Sequence, residues 1–376
     1  MPKAPLHITH VVRQFFPMIG GLEEVVRRLA AEQVRSGHSV RVVTLDRLFT
    51  TNERLPRLDA LDGVEVVRIP YRGSSRYPVA PGVLRELRDA DLVHVHAVDF
   101  FFDFLAWTKP VHRKPLVATT HGGFFHTADL AALKRVWFST LTRASSGFYD
   151  AVVACSASDE ALFRSLHLRR LVRIDNGVAV DRFAGAASPV PRKGAVAIGR
   201  FSANKRLDRL LDAFAVLHGR DPEWRLAILG AASDLGAGDL RRMAAERGVA
   251  GSIEVVENAS DRDIARVMAV SSLYASASEY EGFGLTLVEA MSAGLLPVVH
   301  ANEAFRAFEA QHGCLCLTDF ARADDAADAV QAAWRGRLEG GAAPGEAAKA
   351  VADGFAWPAV ASRYAQVYAD ALARRG

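Results

Sequence analysis

The stretch EYEGFGLTLVEAMSAGLLPVV, residues 279–299, joins two carboxylates eight positions apart through a glycine-rich turn, then runs through a helix-forming segment into an apolar strand. EGFG does not continue a helix comfortably, whereas LTLVEAMSA does, so the spacing predicts a helix start at Gly284 or Leu285. Unpaired amide donors and the positive end of the helix dipole coincide at such a start, and glycine lets an anion approach the backbone, which suits a diphosphate. Glu281 precedes the helix and Glu289 sits about one turn inside it. One carboxylate can therefore hold a sugar on the near side of the phosphates and the other a ribose diol on the far side. Taken alone, the same residues also fit a plain turn before an amphipathic helix, or the acid and base of a glycosidase.

The chain has 376 residues, too many for one ordinary core, and strand-like and helix-like segments alternate along it. Two α/β domains are expected, each with a doubly wound parallel sheet. Apolar residues make up 50% of the sequence, yet no run reaches the roughly 18 to 20 needed to cross a bilayer, and MPKAPLHITHVV does not read as a signal peptide. A cytoplasmic protein is expected. Cys155, Cys314 and Cys316 cannot form a disulfide framework, and CLC matches no common zinc knuckle, so all three are read as small buried hydrophobes. The net charge of +3 hides an asymmetry: residues 1–187 hold 25 Lys and Arg against 19 Asp and Glu, and the remainder holds 21 against 24. The basic excess of the first half is scattered and lacks a nucleic-acid signature, which favours an anionic membrane surface or a pyrophosphate-linked acceptor over nucleic acid.

Working outward, strands are expected near residues 6–12, at SVRVVTL, VEVVRIP, DLVHVHA, PLVATTH, AVVACS and VRIDNGV, with helices between them. A break falls at 184–194, where GAASPVPRKG is small, polar and proline-containing. A second series then begins at AVAIGRF and continues through WRLAILG, SIEVVEN, SLYASAS and LPVVHA. The chain loosens again near 340–345 and ends in FAWPAVASRYAQVYADALARR, whose apolar residues recur at helical spacing.

Five further groups bear on the site. In GRFSANKR, Arg200 and Lys205 follow a strand and precede a helix; cations there are poorly placed unless an anion is bound, and together they can neutralise a diphosphate without a metal. In PMIGGLEE, Gly20 and Gly21 let the backbone approach a phosphate or sugar. In ATTHGGFFHT, His121 ends a strand ahead of Gly122 and Gly123, where its imidazole or carbonyl can meet a sugar or simply pack in the core. His126 assists or caps. In HVHAVDF, His94 and His96 are expected on opposite sides of the strand and hence not on one metal. In DNGVAVDRF, Asn176 and Gly177 form a tight strand exit.

Together GGLEE, THGG, NGVAVDRF, GRFSANKR and EGFGLTLVEAMSAGLLPVV resemble, in family order and over nearly the whole chain, the retaining nucleotide-sugar glycosyltransferases of family four. The resemblance implies the GT-B fold: two Rossmann-like doubly wound parallel-sheet domains facing across a cleft, over 1–187 and 188–355, with a helix at 356–376 crossing back onto the first. It implies Arg200 and Lys205 on the donor diphosphate, Glu281 on the donor sugar, Glu289 on the ribose, and Gly282, Phe283, Gly284 and Leu285 at the phosphate turn. It also implies His121 beside the anomeric carbon and Gly20 and Gly21 near the phosphates, Gly21 through its amide. No metal or other cofactor is implied.

More narrowly, HGGFFHT and the compact first domain resemble the α-mannosyltransferases that extend a lipid-diphosphate cellobiose in exopolysaccharide synthesis of the acetan or xanthan type. That implies GDP-mannose as donor, a lipid-linked oligosaccharide as acceptor and a peripheral place on the inner face of the plasma membrane. No residue reads the base by a recognisable spacing, so a UDP-sugar donor and another lipid or soluble acceptor stay open. Lys134, Trp137, Phe138 and Leu141 fall on one helical face beside Arg135 and Arg143, as in a helix lying on an anionic bilayer or one packed on the sheet. A sugar-nucleotide sensor without chemistry is a rival from another class. A dinucleotide oxidoreductase lacks its GxGxxG after the first strand.

Overall fold

The computed structural model describes residues 5–18, 20–75, 77–121, 138–166, 168 and 170–374. Two compact units emerge: residues 1–177 with 357–376, and residues 178–356.

The first unit is built on an eight-stranded sheet. From one edge the order is Leu171–Arg173, Ala151–Ala154, Leu116–Thr119, Leu92–His96, His7–Val11, Ser39–Leu45, Val64–Ile69 and Leu58–Leu61. All neighbours pair parallel except the last, an antiparallel edge strand that the sequence reading did not anticipate. Central strands covered on both faces need continuous apolar runs, as in AVVA of Ala151–Ala154. Leu92–His96 is buried at all five positions although two of them are histidines. The order reverses between His7–Val11 and Leu92–His96, which opens a crevice at their carboxyl ends, the place where sheets of this kind bind ligands.

The helix Trp357–Ala373 belongs to this unit. Its buried residues Trp357, Val360, Ala361, Tyr364, Val367, Tyr368 and Ala371 recur every three to four positions and pack with Ile8, Leu29, Leu92, Val117 and Val153. Gly177 lies against the Trp357 ring so closely that a Cβ there would sit 2.5 Å from it.

The second unit has a six-stranded, fully parallel sheet in the order Ile253–Glu257, Arg225–Gly230, Gly194–Ile198, Leu273–Ser276, Leu296–His300 and Cys316–Thr318. Its switch point lies between Gly194–Ile198 and Leu273–Ser276. Apolar clusters cover both faces, one around Phe201, Leu211, Trp224 and Leu240, the other around Tyr274, Leu287, Met291 and Phe305.

The chain changes unit at Gly177 and Val178, ten residues before the expected boundary at 187. Residues 178–187 are held by the second unit: Phe183 is buried in its core, and the N–H groups of Gly185 and Ala187 donate to the carbonyls of Ser292 and Ala293. The small, polar composition that reads as a linker here reflects close packing on the helix Leu285–Ala293. Of the cysteines, Cys155 is buried as expected, whereas Cys314 and Cys316 are only partly so. Among the described residues, no helix is long and apolar enough to cross a membrane.

Candidate active site

The switch point of the second unit gathers the residues from two distant sequence segments. Leu273–Ser276 delivers the turn Glu279–Gly284, and the helix Leu285–Ala293 starts where the residue spacing sets it, with Gly284 as its N-terminal flanking residue. Gly284 adopts φ of 91°, and a Cβ there would lie 2.9 Å from the Phe305 ring, so both conformation and packing require glycine. The Phe283 side chain turns inward onto Phe355, with ring centroids 5.3 Å apart, and anchors the turn; what Phe283 can offer a ligand is its backbone. No side chain caps the helix, its first turn carries no acidic residue, and Leu285 is exposed. Its first amides are thus left open beside Gly282, where an added Cβ would meet nothing within 4 Å.

Gly194–Ile198 delivers the second segment. Arg200 and Lys205 line one crevice with Gly199, Tyr274, Ser276 and Ser278. Arg200 is exposed and pairs with no side chain among the described residues. Lys205 Nζ lies 2.5 Å from Glu281 Oε1. The two segments are laced together nearby. Asn204 Nδ2 donates to the Tyr280 carbonyl at 3.1 Å, the Glu279 N–H donates to the Asn204 carbonyl, and Glu279 pairs with Arg206 and Arg209. Asn302 holds the Ser278 carbonyl from the other side at 2.9 Å.

Glu289 is mostly buried and faces Arg182, whose Nη1 lies 3.2 Å from Glu289 Oε1; Arg182 also pairs with Asp261. Burial raises the Glu289 pKa above the ordinary carboxylate value, and Arg182 opposes the rise. Arg182 escaped the sequence reading. Its one signal was position, a cation just past the tight exit at Asn176-Gly177.

In the first unit, Gly20 and Gly21 begin the helix Gly21–Arg35. A Cβ at Gly20 would meet Glu23 Oε2 at 2.4 Å, while one at the exposed Gly21 would meet nothing within 4 Å. Packing therefore does not demand glycine at 21, and the position is open to a ligand. His121 follows Leu116–Thr119 at the carboxyl edge with φ of 55°, an uncommon backbone for a non-glycine residue. Across the same switch point Arg13 Nε lies 3.0 Å from Asp99 Oδ2. Burial pushes Asp99 up to about 6, with Arg13 opposing. Asp99 lies inside the HVHAVDF segment yet carries no sequence signal that separates it from a helix cap, a part it also plays for the Phe101 N–H.

His94 and His96 do not face opposite sides. Alternate residues of a strand share a face, and these rings stand 4.1 Å apart beside His10. The three could approach one metal ion, but each of their six ring nitrogens already has a protein partner. His10 Nδ1 is 2.8 Å from His96 Nε2, and His10 Nε2 is 2.7 Å from Gln33 Oε1. His96 Nδ1 is 2.8 Å from His121 Nε2, and His94 bonds Tyr368 and Thr119. Burial holds His10 down to about 4 and His121 to about 3, and lowers His94 and His96 well below the ordinary value. All four are neutral at pH 7.

Gly122, Gly123, His126, Lys134, Arg135 and Trp137 lie outside the described residues. Phe138 is buried and packs edge-on to Phe163, which fits the packed alternative for its stripe rather than the bilayer-facing one.

Two doubly wound parallel sheets in one chain, one of them with two cations and an open helix start at its switch point, are the architecture of a GT-B glycosyltransferase. The chain belongs to glycosyltransferase family 4, and it is a hexosyltransferase. Residues 19–182 match "Glycosyltransferase Family 4" and residues 183–351 match "Glycosyl transferases group 1". It is 41% identical over 377 residues to GDP-mannose:cellobiosyl-diphosphopolyprenol alpha-mannosyltransferase of Komagataeibacter xylinus, covering 98% of this chain and 94% of that one. To the protein of the same name from Xanthomonas campestris it is 41% identical over 370 residues, covering 98% and 97%. Among solved structures, a glycosyltransferase from Rickettsia africae shares the fold with a TM-score of 0.71 at 18% identity, covering 98% and 99%.

Proposed function

We propose that this enzyme transfers an α-mannosyl group from GDP-mannose to cellobiose carried on a polyprenyl diphosphate, with retention at the anomeric carbon, as a step in exopolysaccharide synthesis. The observation that carries the reading is 41% identity, along 98% of the chain, to mannosyltransferases named for that donor and acceptor. The second unit offers a donor site to match. Its open helix start takes the diphosphate with Arg200 and Lys205, Glu281 holds the sugar, and Glu289 accepts the ribose hydroxyls beside Arg182.

In this reading the bond from C1 of mannose to the β-phosphate oxygen lengthens toward an oxocarbenium ion. The acceptor hydroxyl forms the new C1–O bond on the same face, and its proton passes to the departing phosphate oxygen. The main catalytic effect is electrostatic: two cations and the helix amides stabilise charge growing on the leaving diphosphate, and no metal is needed. The first-unit crevice with His121 and Gly21 serves the sugars.

The acceptor's lipid and the +6 balance of residues 1–187, 25 basic against 19 acidic, support peripheral attachment to an anionic cytoplasmic leaflet. Flotation with liposomes that contain or lack anionic lipid tests this; equal recovery from both overturns it.

The central experiment incubates purified protein with a cellobiosyl-diphosphopolyprenol analogue and, separately, GDP-mannose, GDP-glucose, UDP-glucose and ADP-glucose, with and without EDTA. Mannosylation from GDP-mannose alone, insensitive to EDTA and giving an α-linkage by NMR, is expected. Transfer from a UDP-sugar in preference replaces the proposed donor, and a β-linked product overturns retention.

A further inference from the structure

The hydrogen bonds that lead away from His121 have a direction. Gln33, on the helix Gly21–Arg35, stands with Oε1 2.7 Å from His10 Nε2 and Nε2 3.0 Å from the Tyr368 hydroxyl. An amide oxygen only accepts, so His10 carries its proton on Nε2 and donates it to Gln33. A neutral imidazole has one N–H, which leaves His10 Nδ1 as an acceptor, 2.8 Å from His96 Nε2. His96 must therefore donate from Nε2 and accept at Nδ1, which lies 2.8 Å from His121 Nε2. His121 in turn donates from Nε2, which leaves its Nδ1 as an acceptor.

The same amide orientation also sets the bonds on the other side of Gln33. Its Nε2 donates to the Tyr368 oxygen, so the Tyr368 hydroxyl donates to His94 Nδ1 at 2.7 Å, and His94 Nε2 donates to the Thr119 hydroxyl at 2.8 Å. All four histidines then share one tautomer, with the proton on Nε2. Gln33, His10, His94, His96 and Tyr368 are buried, so water does not compete for these bonds, and the neutral state of the rings keeps each to a single proton. Among the described residues nothing bonds His121 Nδ1.

We propose that Gln33 is a positioning residue that, acting through His10 and His96, fixes the tautomer of His121 so that its Nδ1 meets the substrate as an acceptor for a sugar hydroxyl. The role rests on the reading that the His121 crevice handles the sugar; the tautomer rests instead on the orientation of the Gln33 amide, Oε1 to His10 and Nε2 to Tyr368.

The test uses full-length protein with 15N-labelled histidine, its ring resonances assigned with His→Gln variants. In the wild type, His10, His96 and His121 should each show a protonated Nε2 and an unprotonated Nδ1; a protonated Nδ1 on His121 overturns the proposal. Gln33→Glu supplies a charged acceptor that draws a second proton onto His10. His10 then donates from both nitrogens, His96 accepts at Nε2, and His121 should switch to Nδ1–H. An unchanged His121 in that variant also overturns the proposal. Gln33→Leu, which removes the acceptor without adding charge, should leave His121 averaging between tautomers, and a fixed Nε2–H there counts equally against it.

With the switched tautomer, mannosyl transfer should fall about tenfold, the loss expected of one neutral hydrogen bond made in the transition state. GDP binding, which belongs to the second unit, should stay unchanged, and a cooperative first-unit thermal transition reports that the variant is folded. A switched tautomer with undiminished transfer removes Gln33 from the reaction while leaving the donor assignment standing. Transfer absent from the wild type with every tested donor instead removes the proposed function.

Discussion

Lys205 and Glu281, 76 residues apart in sequence, meet at 2.5 Å over the switch point of the second sheet, with side chains 20% and 13% exposed. The pair links the cation expected on the leaving diphosphate to the carboxylate expected on the sugar. Removing Lys205 leaves a largely buried carboxylate unpaired and, in the proposed mechanism, takes one positive charge from the departing phosphate. Lys205→Ala is expected to lower turnover about 100-fold or more, the range seen when one stabilising donor is lost from a transition state. The same change should cost only about 1 to 2 kcal/mol of stability, because the pair is partly solvated. Steady-state transfer and thermal denaturation measured on one preparation check both; a near-normal turnover sinks the role of Lys205.

As the proposed ribose acceptor, Glu289 should give nucleotide binding a pH dependence. A carboxylate that accepts ribose hydroxyls must be ionised, and burial lifts its pKa above the ordinary value while Arg182 restrains the rise. Nucleotide affinity should therefore weaken as pH falls through that raised pKa, at a higher pH than an exposed glutamate would give. Arg182→Ala removes the restraint and should move the loss to still higher pH, whereas Glu289→Gln should weaken binding at pH 7 and flatten the profile. Calorimetric titration of GDP between pH 5 and 8 decides this. A wild-type profile as flat as that of Glu289→Gln counts against Glu289 as the ribose acceptor.

Gly284→Ala should damage the second unit through both strain and contact. The left-handed backbone at 91° costs a side chain about 1 kcal/mol, and a Cβ 2.9 Å from the Phe305 ring forces a buried aromatic to move. A loss of about 2 to 3 kcal/mol is expected by denaturant unfolding, together with weaker GDP binding, since the shift falls at the helix start. Gly282→Ala is the matched comparison: with nothing within 4 Å of its Cβ, its stability should hold while GDP affinity falls. Equal stability losses at both positions would show that the turn, rather than the packing at Gly284, is the weak point.

These positions also show which features could be read from sequence. The helix start at Leu285 was legible because EGFG and LTLVEAMSA differ sharply in local preference, and the parallel strands because they are continuous apolar runs between helices. Arg182 was not, since its partner Glu289 lies 107 residues away and no local pattern distinguishes it from other surface arginines. The change of unit at Gly177 was hidden because residues that pack closely on a helix are small, as linker residues are. The histidine chain was hidden twice over. His10, Gln33, His96 and His121 come from four segments that only the sheet order brings together, and His94 and His96 were assigned to opposite faces of a strand whose alternate residues share one.

That buried chain makes the first unit acid-sensitive. In the unfolded chain each histidine takes up a proton below its ordinary pKa of 6.5, whereas in the folded unit burial keeps His10 neutral to about 4 and His121 to about 3. Between those values the unfolded state binds more protons, so stability is fully present above pH 6.5 and is lost as pH falls toward the folded pKa. Each group contributes about 1.4 kcal/mol per pH unit once pH is well below 6.5. His10 and His121 together should then withdraw about 4 kcal/mol between pH 7 and pH 5, and His94 and His96, lowered by the same desolvation, act in the same direction. For a unit of this size that corresponds to a fall of about 10 °C in Tm. Scanning calorimetry at half-unit steps of pH should show it, with GDP present to raise the transition of the second unit and separate the two. His10→Leu should flatten the slope by about 1.4 kcal/mol per pH unit near pH 5, even where it lowers stability at pH 7. A first-unit transition that stays level from pH 7 to pH 5 would mean that the rings are not held as neutral imidazoles, and His121 would then not be confined to the single tautomer set from Gln33.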